Sequence, residues 1–540
     1  MLTGAGACSS VSEPLAELCI SGEVWSCDCA KGRNTGRRRC RSDGTFDACD
    51  CSSGGGGSSK PAATSMNGAT AAGQPANAGR SGGTAGKVAT SSAGAGVSGA
   101  AGKPAIASTI PPAAGGGGGA GPSSVAAGSG EPTEPPKPEL TLEPQDDAAY
   151  VFDQTKLRTY DIVVAPADLA NIDARPSSET WVPASLKFEG TTYGPLMVRY
   201  KGSAGSFKYP CTKSGPDDPK DGKCSIKLGF DEIDEEARFF GLKKLNFHAM
   251  IQDKSFLHDR LGYSLFRDHG VAASRAVHAR VLINGKLEGL FIAVEQVDGR
   301  FTRARFGEGG EGNVYKEAWV TMDTQADYIE SLETNKRENP SVQRMLDFQS
   351  TVRSRGDLTR FIDPDYLLRY LAVDRVIIND DGMLHFYCDV SSPNYPGTSH
   401  NFYWYEATAG DRFWLIPWDL DLAFDATPYV HVSPAWFAPA TCTCTNSNFG
   451  AQFPPSCDPF VKQLIAWRPD YEKEVDRFLA GPFTDAKVEQ KLRTWIEQIR
   501  PAVVEAAGVK HAPTEREWND AVGELRLKIA ATRLNRGYKY

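Results

Sequence analysis

The chain has 540 residues and a formal net charge of −8 at pH 7, long enough for several domains but without the basic surplus that binding to nucleic-acid phosphates demands. No run approaches the roughly 18 apolar residues needed to cross a bilayer, which excludes a transmembrane helix. Thirteen cysteines, closely spaced near the start, suit an oxidising, extracytoplasmic setting, secreted or at the cell surface.

The opening residues Met1-Leu2-Thr3-Gly4-Ala5-Gly6-Ala7-Cys8 lack the basic start and apolar core of a secretory signal. Small residues leading into Cys8 look like the tail of a bacterial lipoprotein signal, with Cys8 as the lipid anchor. The alternative is an ordinary disulfide cysteine or a free thiol. Residues 8–51 hold seven cysteines and a short repeat, in which Gly22-Glu23-Val24-Trp25-Ser26-Cys27-Asp28-Cys29 is echoed by Gly44-Thr45-Phe46-Asp47-Ala48-Cys49-Asp50-Cys51. So short a segment cannot bury enough apolar surface to fold unaided, so 1–51 is expected to be cross-linked. Zinc is the rival, disfavoured by the Cys-x-Cys spacing. Residues 52–139 are almost entirely Gly, Ala, Ser, Pro and Thr, which cannot offset the entropy of ordering and predicts a disordered stalk.

From 140 to 540 the composition is that of a folded domain. Alternation over 159–164 and 186–200 predicts strands. The latter runs into Tyr200-Lys201-Gly202-Ser203-Ala204-Gly205-Ser206, either a glycine-rich loop offering backbone N–H groups to phosphates or an ordinary hairpin loop. Residues 255–270 carry Phe256, Leu257, Leu261, Leu265 and Phe266 at helical spacing and end in Gly. Asn284-Gly285 between two apolar runs predicts a tight hairpin. A helix is predicted over 364–378, ending in Asn379-Asp380-Asp381-Gly382, and 459–531 is rich in helix formers. Strands first and helices later predict an α+β fold.

Two aromatic strands lie between these helical regions. His400-Asn401-Phe402-Tyr403-Trp404-Tyr405 begins with an amide side chain, and Leu415 to Phe424 closes in Asp419 and Asp421. Carboxylates at a strand end hold a divalent cation rigidly, because hard cations prefer oxygen ligands and the strand fixes the backbone. Asp, Asn and Asp thus follow one another in chain order. Protein kinases use that order, one Asp orienting the attacking hydroxyl while an Asn and a second Asp hold Mg²⁺.

The segments Phe256-Leu257-His258-Asp259-Arg260-Leu261-Gly262-Tyr263, Val281-Leu282-Ile283-Asn284-Gly285-Lys286, Gly312-Asn313-Val314-Tyr315-Lys316, His400-Asn401-Phe402-Tyr403 and Ile416-Pro417-Trp418-Asp419-Leu420-Asp421 together resemble the spore coat protein CotH family of atypical kinases. The resemblance spans roughly 140–540. It implies a divergent kinase-like fold, with a β-rich N-terminal lobe and a helical C-terminal lobe. That fold would bind ATP with Mg²⁺ or Mn²⁺ and phosphorylate Ser or Thr on secreted or surface proteins. Carried over motif by motif, it implies Asp380 as the catalytic residue and Asn401 and Asp419 as metal ligands, with Asp421 assisting. Lys227 becomes the phosphate-neutralising cation, with Lys201 as runner-up beside Gly202 and Ser203. Glu295 falls where the hinge would meet adenine, and Lys316 is a nucleotide contact or a solvated strand lysine. One departure stands out: a kinase pairs its strand lysine with a helix Glu, and 255–270 offers only Asp259 and Asp268. Asp374 rivals Asp380, though a pairing with a neighbouring Arg on its helix explains it better.

Cys211 and Cys224 flank a polar loop and are expected to bridge. Cys388, Cys442, Cys444 and Cys457 are expected to form disulfides whose pairing stays open. Histidines at no metalloprotease spacing and the lack of a G-x-S-x-G elbow argue against hydrolysis. Two other readings stay open: a non-catalytic surface or adhesion protein, and a carbohydrate-associated module using Trp and Tyr at 403–405 and 434–437.

Overall fold

The computed structural model describes residues 24–28, 35–39, 47–48 and 140–536, apart from 203–206, 308–309, 322–323, 337–339, 392–396, 409, 411, 425–434, 448–449 and 535. The chain divides into two compact units, Met1–Ser123 and Ser124–Tyr540. In the first, strand Val24–Asp28 pairs antiparallel with Thr35–Arg39. The expected lipid anchor at Cys8, the cross-links of the first segment and the stalk over 52–139 fall outside the described residues.

The second unit begins with seven strands: β1 (Arg158–Val164), β2 (Val182–Phe188), β3 (Thr191–Tyr200), β4 (Ile226–Gly229), β5 (Lys244–His248), β6 (Ala276–Ile283) and β7 (Lys286–Glu295). They close into a barrel in the order β1-β2-β3-β4-β5-β7-β6. All neighbours are antiparallel except the closing pair, where β1 runs parallel to β6. Period-two alternation fills the inside: Tyr160 and Ile162, Leu186 and Phe188, Leu196 and Val198, Ile226 and Leu228, Leu245 and Phe247 all enter one buried cluster. The predicted run over 186–200 is two strands, not one. Glu189 and Gly190, both at positive φ, reverse the chain between β2 and β3.

The hairpin at Asn284-Gly285 forms as its sequence requires, both residues at positive φ (52° and 75°). Its amide is also a clasp, since the Asn284 side chain accepts from the Val164 N–H and donates to the Val164 carbonyl, each at 2.9 Å. Helix His258–Asp268 packs on β6, and the long helix Asp485–Ala506 packs on β7.

The second half is α+β rather than purely helical. A three-stranded antiparallel sheet, Asn313–Lys316, Phe402–Glu406 and Phe413–Pro417, lies among helices Gln343–Ser354, Pro364–Val376 and Arg468–Ala480. Tyr403, Trp404 and Tyr405 are buried in this core, and Trp436 is buried against Tyr471. Those four aromatic residues therefore offer no exposed platform to a sugar. The Cys211–Cys224 disulfide forms as expected, and the remaining cysteines resolve into Cys388–Cys444 and Cys442–Cys457. Among the described residues no helix is long and apolar enough to cross a membrane.

Candidate functional site

The outer face of the barrel wall carries what its alternation keeps out of the core. Arg199 on β3, Lys227 on β4 and Asn246 on β5 are register partners across adjacent strands. His248, the last residue of β5, and Lys201 and Ser225, just beyond the ends of β3 and β4, extend that row. Facing this row across a cavity of about 640 Å³ are Lys316, Glu317, Asp381, Asn401, Tyr403, Trp418, Asp419 and Asp421. The cations of the barrel wall thus look onto a cluster of oxygen donors.

Asp419 and Asp421 follow strand Phe413–Pro417, whose pairing with Phe402–Glu406 puts Asn401 beside Trp418: the Trp418 N–H donates to the Asn401 carbonyl at 3.0 Å. Asp419 then turns into the left-handed region (φ 49°), which aims its carboxylate into the cavity. Helix His258–Asp268 clamps this turn. Tyr263 Oη accepts from the Asp419 N–H and Asp259 Oδ1 accepts from the Leu420 N–H, both at 2.9 Å. Gly262 lets the two surfaces meet, because a Cβ there would lie 2.8 Å from Leu420 Cδ1.

Helix Pro364–Val376 ends just before the tetrad 379–382, and the residue it delivers to the cavity is Asp381. Asn401 Nδ2 donates to both the Asp381 carbonyl (3.0 Å) and its Oδ2 (2.8 Å), and the Tyr387 hydroxyl donates to Oδ1. Burial, with Asp419 nearby, pushes the Asp381 carboxyl up to about 6. Asp380, the residue expected to be catalytic, lies elsewhere. Asp380 is buried, its carboxylate in the field of Arg375 and its backbone hydrogen-bonded to His385, and it is not part of the cavity lining. Asp374 pairs with Arg375 at 2.6 Å and with the Asn379 amide at 2.9 Å, the structural role expected of it.

The other assigned residues divide. Lys201, Gly202, Lys227 and Lys316 all line the cavity; Ser203 lies outside the described residues. The Gly202 N–H is taken by Glu179 Oε1 at 2.9 Å, so it does not stand open as a phosphate donor. Burial pushes Lys201 down to about 8, against the pull of Asp419, and Lys227 to about 7. Glu295, expected at the hinge, is not itself part of the cavity wall: it is fully buried among Arg275, Arg300 and Arg305, and the next residue, Gln296, lines the cavity.

Sequence reasoning passed over His248 and gave Asp259 no role in the site. His248 lines the cavity, and Asp259 is buried behind it. His248 Nε2 is 3.0 Å from Lys201 Nζ, its ring stands edge-on to Trp418, and its Nδ1 lies 3.6 Å from Asp259 and 3.5 Å from Asp419. A signal was present: Asn246 and His248 alternate with Leu245 and Phe247, which puts two polar residues on one face of a strand with a buried opposite face.

Asp381, Asn401, Asp419 and Asp421 are the oxygen donors a hard divalent cation takes. The Asp421 carboxyl is held well above the usual carboxylate range by burial and by Asp419, Asp259 and Asp381. The cluster therefore holds more negative charge than its own walls neutralise, which fits a bound cation.

A family model described as CotH kinase protein matches residues 198–533, from the end of β3 to the last helix. The inner spore coat protein H of Bacillus subtilis (strain 168) is 22% identical over 374 residues, which cover 65% of this chain and 89% of that protein.

Proposed function

This chain belongs to the CotH kinase protein family, and from that membership and the cavity's charge pattern we propose that it transfers the γ-phosphoryl group of ATP to Ser or Thr hydroxyls of secreted or surface proteins. The coat protein among its relatives suggests an extracytoplasmic protein assembly as the setting. One observation carries the reading: cations on the barrel face and carboxylates on the facing turn border the same cavity, an arrangement suited to a polyanion on one side and its cation on the other.

The barrel wall takes the part of the N-terminal lobe in this proposal, and the three-stranded sheet with its helices takes that of the C-terminal lobe. Lys201 and Lys227 neutralise phosphate oxygens, with Arg199 behind them. Asn401, Asp419 and Asp421 hold Mg²⁺ or Mn²⁺. The bound cation supplies charge neutralisation at the phosphates. Asp381, rather than Asp380, orients the acceptor hydroxyl and accepts its proton. Its raised pKa and its hydrogen bonds from Asn401 and Tyr387 fix its orientation while leaving it basic enough for that task. The strand end at Gln296 supplies the wall on which the base rests.

The test is incubation of the full chain with γ-labelled ATP, Mn²⁺ or Mg²⁺ and a Ser/Thr-rich acceptor protein, beside Asp419→Ala and Asp381→Asn shown by urea unfolding to be folded. Label is expected with the parent, reduced at least about 100-fold in either variant. No label, combined with no thermal shift from ATP and cation, would leave the non-catalytic surface-protein reading in its place.

A further inference from the structure

Protein kinases fix the phosphate-binding lysine by a direct ion pair to a helix glutamate. In this chain the corresponding helix offers Asp259, one methylene shorter, and among the described residues no ion pair joins Asp259 to Lys201 or Lys227. What lies between Asp259 and Lys201 is an imidazole. We infer that His248 is a positioning residue which, backed by Asp259, holds the Lys201 ammonium in the cavity and so replaces the direct lysine–carboxylate pair. The inference rests on the phosphotransfer reading for its purpose, though not for its geometry.

Donor counting supplies the argument. A lysine ammonium has three donors and no acceptor, so at the 3.0 Å contact His248 Nε2 must accept from Lys201 Nζ. His248 is buried, and a ring that accepts at Nε2 carries its single proton on Nδ1. That Nδ1–H faces Asp259 Oδ2 at 3.6 Å and Asp419 Oδ1 at 3.5 Å. Both separations are electrostatic contacts rather than hydrogen bonds, and both His248 Nδ1 and Asp259 Oδ2 are buried without a hydrogen-bond partner. Contacts of this kind tighten when a site closes on its ligand.

The same count decides a competing assignment. His248, Asp259 and Asp419 offer ligand atoms within 4.8 Å of one another, the outline of a cation site with one nitrogen ligand. A metal needs the Nδ1 lone pair, which a ring accepting from Lys201 at Nε2 does not have. The cluster is therefore a relay of hydrogen-bond polarity, running from the helix carboxylate through the imidazole to the lysine. Trp418 closes one side of it, with its face 5.3 Å from Lys201 Nζ and its ring edge-on to His248.

The test reads the ring directly. Full-length protein labelled with ¹⁵N-histidine reports the tautomer of His248, assigned by the signals lost in His248→Gln. The Nδ1–H tautomer is expected, shifting towards Nε2–H in Lys201→Met. An Nε2–H tautomer in the parent protein, or a Zn²⁺-dependent shift of Nδ1, would overturn the relay. In the phosphotransfer assay His248→Ala should lower kcat about tenfold or more while KM for ATP changes less than about threefold, and His248→Gln, which can accept from Lys201 and donate to Asp259, should recover part of the loss. Unchanged kcat in His248→Ala removes the positioning role. A parent protein that shows the expected tautomer but transfers no phosphate sinks the kinase reading and leaves the relay intact.

Discussion

Two clusters of buried or partly buried carboxylates lie in the same domain, and they are built oppositely. Around Glu295 opposite charges touch: Arg275, Arg300 and Arg305 all bond its carboxylate, and Asp146 joins Arg275 and Arg300 from the other side. The Glu295 carboxyl is accordingly held well below its ordinary range, the three arginines outweighing burial. At the cavity the like charges Asp381, Asp419 and Asp421 gather with the buried Asp259 behind them, and Lys201 and Lys227 face them without contact ion pairs among the described residues. Asp421 is correspondingly pushed up rather than down. A cluster whose charges are satisfied by its own neighbours ties the chain together. One whose charges are kept apart is ready for something that arrives from outside.

The largest test of this contrast is Glu295→Ala. Removing the carboxylate strands the fully buried Arg305 guanidinium and leaves Arg275 and Arg300 with Asp146 alone, and deleting one partner of a buried ion pair costs about 3–5 kcal/mol. Urea unfolding should show that loss, with any fall in activity following the folded fraction. A variant as stable as the parent would mean that contact between charges does not mark a structural cluster.

Lys223 extends the comparison to a single charge. Its buried ammonium donates to the Leu290 carbonyl at 2.8 Å and lies over the faces of Phe256 and Phe291, with Asp253 and Glu288 the acids within electrostatic reach. Desolvation outweighs those acids and pushes its pKa down to about 7. Above pH 7 the native state has released a proton that the unfolded chain still holds, so this residue makes stability rise with pH towards about 10, by at most about 1.4 kcal/mol per pH unit. Lys201 and Lys227 titrate in the same direction, so the informative quantity is the difference between the parent and Lys223→Met across pH 7 to 9. The variant should have the shallower slope and the higher stability at pH 7. Parallel slopes would show that Lys223 keeps its charge in the fold.

What the sequence disclosed follows from the range over which each feature is encoded. Asn284-Gly285 needs only its own backbone preferences, the helix at 258–268 only its spacing of apolar residues, and Cys211–Cys224 only a short loop between them. Asp419 and Asn401 were legible because each sits at a strand end within an aromatic motif. Barrel closure was not, since β1 meets β6 in parallel across a long separation and no local pattern specifies that partner. Asp380 and Asp381 differ by one position, and which of them enters the cavity depends on how the helix unwinds after Val376. Glu295 fell where the hinge was expected, and its burial was not legible because its three arginine partners lie on the strand lead-in at 275 and on the following helix Gly299–Phe306. His248 gained its meaning only when Asp259, eleven residues later in sequence, folded back behind it.

The smallest expected effect returns to the cavity itself. If its carboxylates are gathered for an external cation, neutralising one of them should not harm the fold. Asp421→Asn removes a group whose ionised form is disfavoured by burial and by Asp419, Asp259 and Asp381. Stability without added metal should therefore stay level or rise. The same substitution withdraws an oxygen charge from the cation, so the gain in melting temperature that Mn²⁺ gives the parent should shrink in the variant. Both signs are opposite to those at Glu295, where losing a carboxylate weakens the fold and leaves the response to Mn²⁺ unchanged. A destabilised Asp421→Asn with a full Mn²⁺ response would place Asp421 with Glu295, as a residue that holds the turn rather than the ion.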